Sequence, residues 1–140
     1  ILLHIGEHSE TLLPTDPRER AQVQGWLFAA LNSVEMASLP WFIFKFTGGD
    51  SESPEQKRIG EFLHSRLQHM EATLTQKEWL AKSFSIADVA MADVLRLAHR
   101  FDGLEDYPGC REYVIRATSR HKFEKAHEDQ LTHFAEADKQ

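Results

Sequence analysis

Phe84-Ser85-Ile86-Ala87-Asp88 leads into a run, Ile86 to Ala98, in which only Asp88, Asp93 and Arg96 are not apolar. A segment apolar on nearly every side is a helix buried on nearly every side. Its first turn cannot borrow water for its unpaired amides, so it must be capped from within. Ser85 and Asp88 have the spacing of a capping box: the hydroxyl accepts from the amide three residues on, and the carboxylate reaches back to the Ser85 amide. Phe84 is placed to pack on Val89 as a hydrophobic staple. Ser85 and Asp88 therefore read as a folding device with no chemistry of their own.

Helices flank this stretch on both sides. Downstream, the run ends near Phe101-Asp102-Gly103, with Gly103 as the stop. Pro108 to Ser119 is a shorter helix with Tyr113, Val114 and Ala117 inward, and His121 to Ala137 is mostly polar apart from Phe123, Ala126, Leu131 and Phe134. Upstream, Ser53 caps a helix with Pro54 at its first position. Ile59, Phe62, Leu63, Leu67, Met70 and Leu74 are its stripe, to about Thr75. The residues 48–53 are a loop. A longer helix begins at Asp16-Pro17 and runs to about Phe46.

That long helix has two faces. Trp26, Leu27, Ala30, Leu31, Val34 and Ala37 are one apolar stripe, while Phe28, Asn32, Glu35 and Leu39 share another with polar groups in its middle. Pro40 is placed to kink it. Trp41 to Phe46 is its aromatic end rather than a strand, since a lone strand has no partner. Leu12-Leu13-Pro14 is a linker. Ile1 to Glu7 is an apolar stripe without a cap, read as the last turns of a helix whose start is missing, so a fragment is expected. The expected fold is all-α: a bundle of about five helices behind a helical tail.

Composition narrows the function classes. The chain has 140 residues, 41% hydrophobic and 27% charged, the balance of a soluble globular domain. Its formal charge of −6 disfavours nucleic acid, which needs a basic footprint. No uninterrupted apolar run reaches the roughly 18 residues of a bilayer span, so no membrane is expected. Cys110 is alone, which fits a reducing, cytoplasmic setting and a packed thiol rather than a nucleophile.

Candidate chemistry is sparse. His64 and His69 are five apart, and His121, His127 and His133 are six apart each, so none of these pairs shares a helix face and no metal is expected. Asp88 and Asp93 diverge by about 140° on one helix, too far for a shared acid–base dyad. Asp93, within an apolar run, is expected to be buried and satisfied, with Arg96 as a partner. No nucleophile-and-base arrangement assembles, so no catalytic residue is expected in this chain.

The stretch Trp79-Leu80-Ala81-Lys82-Ser83-Phe84-Ser85-Ile86-Ala87-Asp88-Val89-Ala90 resembles the start of the buried helix in the C-terminal domain of glutathione transferases. Trp26-Leu27 through Glu35 is similar to the first long helix of bacterial members. The resemblance implies that residues 1–14 are the end of the last helix of a missing N-terminal thioredoxin-like domain plus a linker, and that 15–140 are the all-helical domain. It also implies glutathione as co-substrate, bound mainly by the missing domain, so that this chain alone is inactive. Asn32 and Glu35 would face glutathione held by a partner subunit. Met36, Leu39 and Phe42 would wall the pocket for a small apolar electrophile. A homodimer through the helices 17–46 and 54–75 and a role in detoxification complete the expectation. The alternative is a non-catalytic glutathione-transferase-like interaction module.

Overall fold

Proline at the first helical position and a side-chain oxygen just before it set where two of the long helices start, at Pro17 and Pro54. In the computed structural model, which describes residues 1–50 and 52–138, every regular element is helical and no strand occurs among the described residues. They are α1 (Leu2–Glu7), α2 (Pro17–Ala29), a π-helical segment (Ala30–Val34), α3 (Glu35–Phe46), α4 (Pro54–Leu74), α5 (Ile86–His99), α6 (Pro108–Thr118) and α7 (His121–Ala137). Asp16 caps α2 by accepting from Arg18 N and Glu19 N, and Ser53 caps α4 by accepting from Gln56 N. Of the loop at 48–53, Ser51 lies outside the described residues, as do positions 139 and 140 of the helical domain.

The all-helical expectation holds, and α5 is the axis: α1, α2, the π segment, α3 and α6 all pack on it. Its opening amides are all satisfied. Ile86 N donates to Leu12 O of the linker (3.1 Å), Ala87 N to Ser85 Oγ (3.3 Å), and Asp88 N and Val89 N to Ser85 O (3.1 and 3.3 Å). Ser85 N donates back to Asp88 Oδ2 (2.9 Å). Gly6 lets α1 approach, since a Cβ there would stand 3.0 Å from Leu13 Cβ and 3.3 Å from Ile86.

α2, the π segment and α3 form one continuous helix, Pro17–Phe46. Its buried seam is Val23, Leu27, Ala30, Val34, Ala37 and Trp41. Leu31, expected on that stripe, is exposed because it sits about 100° beyond Ala30. Trp26 is half-buried. The helix runs on through Pro40, which is exposed, and its departure from α geometry stands at Ala30–Val34. A window of this helix reaches a mean hydropathy of 1.4, enough by length and composition to cross a membrane. Its seam nevertheless packs on α4 and α5.

Three other expectations change. Asp93 is exposed, paired with Arg96 across one turn at 2.6 Å, because it lies on the strip of α5 that no neighbour covers. The left-handed residue after α5 is Asp102 (φ 61°), not Gly103, whose amide donates to Ala98 O (3.0 Å). Asp tolerates that region better than most side chains. On α4, Phe62 is exposed beneath the Arg66 guanidinium, and the core is Leu63, Leu67, Met70 and Leu74.

α6 has no cap of its own at Tyr107. Glu71 of α4 supplies one, accepting from Gly109 N (2.8 Å) and Cys110 N (2.9 Å). Pro108 has no amide to satisfy and Arg111 N donates to Tyr107 O, so this helix start is also complete. Gly109 is needed for the approach, since a Cβ would meet Thr75 at 2.9 Å and Glu71 at 3.1 Å.

Candidate functional site

The helix most enclosed by the others is α5, yet its first two turns leave one side open. α2 ends on one flank and the α6–α7 corner turns on the other, so a groove of about 470 Å³ forms between them. Leu31 and Glu35 come from the long helix, Phe84 and Val89 from the capped turn, and Arg120 and Phe123 from the corner. The Phe84 ring stands edge-to-face with Trp79 (centroids 5.0 Å apart), and the Arg120 guanidinium lies 3.3 Å from the Phe84 centroid. A cation flat on an aromatic face is held without being neutralised. Lys122 joins Arg120 at that end, and Glu35 carries the opposite charge across the groove. None of these three takes part in an ion pair among the described residues.

Beneath the groove, Asp88 is fully buried and its two oxygens hold four donors. Oδ1 accepts from Leu80 N (3.0 Å) and the Tyr113 hydroxyl (2.9 Å), and Oδ2 from Ser85 N (2.9 Å) and Ser85 Oγ (3.1 Å). Burial, then the Asp88 charge, pushes the Tyr113 phenol far above its ordinary value, so it stays a donor. A carboxylate so occupied has no lone pair left for a substrate.

Nor does another nucleophile stand ready. Cys110 is fully buried, and burial followed by the Glu71 charge raises its thiol well above the ordinary value. A thiol that stays protonated is inert. Among the described residues, no group of three or more His, Cys, Asp or Glu could hold a metal ion.

Of the candidate binding residues Asn32, Glu35, Met36, Leu39 and Phe42, only Glu35 lines the groove, and of the capping box only Asp88 does. Asn32 is exposed, and Met36 (59%) and Leu39 (39%) are exposed apolar residues on the long helix. Phe42 lies in an aromatic cluster at the far end of α3, stacked on Phe46 (5.7 Å) and against Phe101 (5.5 Å). Arg120 and Lys122 carried no signal in the sequence, and Phe123 stood out only as an apolar residue of the last helix, since all three reach the groove only through the turn between α6 and α7. His4 on α1 and His8 just after its last residue are four apart and lie away from the groove.

No protein-family model matches the chain, and no curated protein matches it. Solved structures do. A glutathione transferase from Pseudomonas putida, with one glutathione disulfide bound per subunit, superposes with a TM-score of 0.79 at 21% identity, over 89% of this chain and 57% of its own. A glutathione S-transferase from Pseudomonas fluorescens gives 0.72 at 28% identity, over 86% of this chain and 61% of its own. Ure2p5 from Phanerochaete chrysosporium, cocrystallised with 1-(S-glutathionyl)-2,4-dinitrobenzene, gives 0.73 at 18% identity, over 96% and 67%. The chain thus spans about three-fifths of the length of the two bacterial structures.

Proposed function

We propose, from a chain folded as the all-helical C-terminal domain of glutathione transferases, that it is the electrophile-binding and dimer-forming part of such an enzyme. The reaction is conjugation of glutathione to a small apolar electrophile, or its thiol-dependent reduction. The carrying observation is the apolar groove with Glu35 at one rim and Arg120 and Lys122 at the other. In this reading the groove side meets a thioredoxin-like domain, which binds glutathione and lowers its thiol pKa. This domain contributes an apolar wall that excludes water and fixed charges that orient the thiol reagent. Residues 1–14 then join the two domains: α1 and Leu13 already pack on the core.

The long helix carries the second part of the proposal. Phe28, Leu31, Met36, Leu39, Ile43 and Phe46 are exposed along it, with Phe62 exposed on α4. A second copy covering these residues would bring Asn32 beside glutathione bound on the partner, and would cover Met36 and Leu39, which lie outside the groove. The test is retention of the full-length protein on immobilised glutathione, with conjugation of 1-chloro-2,4-dinitrobenzene. Asn32→Ala is expected to raise the glutathione KM and leave Tm unchanged. Neither retention nor conjugation would reject the enzyme in favour of the non-catalytic module, and a lower Tm with unchanged KM would return Asn32 to structure.

A further inference from the structure

His4 and His8 are the only two of the eight histidines placed four apart, the spacing that puts two side chains one above the other on a helix face. α1 seats its opposite side, at Gly6, on Leu13 and Ile86, so the histidine pair faces solvent. The two rings lie 4.8 Å apart, centroid to centroid, edge to face. His8 Nδ1 stands 2.8 Å from His4 O. A carbonyl oxygen can only accept, so Nδ1 carries the proton and the Nε2 lone pair of His8 is left free. An imidazole whose other nitrogen donates to a backbone carbonyl is oriented and tautomer-fixed in the manner of a metal ligand.

We infer that His4 and His8 form a two-imidazole chelate for a late first-row divalent cation, with copper(II) bound most tightly. The donor set decides the metal. Glu7 is paired with Arg20 (3.4 Å), and among the described residues no third His, Cys, Asp or Glu completes a cluster, so the protein offers two nitrogens and water completes the shell. With so few ligands no cage imposes a geometry, and affinity follows the intrinsic order, in which copper(II) stands above nickel(II) and zinc(II).

The test is titration of the protein with copper(II) against a colorimetric chelator, with electron paramagnetic resonance of the 1:1 sample. The expected spectrum shows superhyperfine coupling to two imidazole nitrogens. His4→Gln and His8→Gln should each weaken binding by at least the roughly 10–100-fold that loss of a mere supporting contact costs. His127→Gln, whose ring stacks on Phe123, should change nothing. His4→Gln removes no side-chain hydrogen bond, so it reports on the metal even where His8→Gln loosens the end of α1. Unchanged binding in His4→Gln, or a single-nitrogen spectrum in the parent, overturns the site.

Discussion

Asp88 gathers donors from three places in the chain: its own helix cap, Leu80 in the preceding loop and Tyr113 on α6. Replacing it with Ala strands four buried donors, and at about 1–3 kcal/mol for each orphaned group the loss is at least about 4 kcal/mol. Tyr113→Phe deletes one bond to a charged acceptor and should cost about 1.5–3 kcal/mol. Urea unfolding of both variants checks the ranking. The sequence made the local half of this arrangement readable, because Ser85 and Asp88 meet within one turn. Leu80 and Tyr113 reach Asp88 only once α5 and α6 have docked, and no period or motif encodes that. The same residues set the alkaline limit. Tyr113, Tyr107 and Cys110 are all shifted upward by burial first, so the folded state keeps protons that the unfolded state gives up near 9.0 for the thiol and 10.0 for the phenols. Stability is therefore whole below about pH 9 and falls as pH rises beyond it. Tyr113→Phe should flatten that decline above pH 10 in denaturation curves taken at stepped pH.

Among the elements, α6 depends on another helix for its start. Glu71→Ala leaves two amides without an acceptor and should cost about 1–2 kcal/mol, while Glu71→Gln, keeping one oxygen, costs less. Hydrogen exchange at Gly109 and Cys110 would show whether the loss is local to that turn. The caps at Asp16 and Ser53 could be read in advance because each lies within three residues of the amide it serves. Glu71 could not, because it is 38 residues from Gly109. Periodicity likewise gave the long helix its length and most of its seam, yet it misplaced Leu31 and Phe62. Both belong to apolar surfaces that the bundle leaves uncovered, and an apolar residue looks the same in sequence whether its neighbour is this chain or something else.

At the scale of the whole molecule, apolar surface is distributed unequally. α7 buries none of its residues, and the long helix keeps Phe28, Met36, Ile43 and Phe46 about half exposed or more. Contiguous patches of this kind mark interaction sites rather than ordinary solvent faces. If the long helix is the subunit contact, Leu39→Lys should shift sedimentation from dimer to monomer with helical content unchanged by circular dichroism. A Leu39→Lys protein that still sediments as a dimer would move the contact elsewhere. Spacing put Glu35 on the polar face of the long helix and the resemblance made it a candidate, whereas the cations opposite it arrive from some 85 residues later and needed the fold.

The bond from Ile86 N to Leu12 O joins two segments 74 residues apart at the middle of the bundle. Leu12-Leu13-Pro14 has the composition of a loose joint, yet it is a clasp: Leu13 is sealed inside and the neighbouring carbonyl closes the axial helix. A protease should therefore nick the native chain first around Gly48-Gly49-Asp50 and spare Leu12-Leu13, as mass spectrometry of early fragments would show. Whatever swings about this molecule does not pivot there.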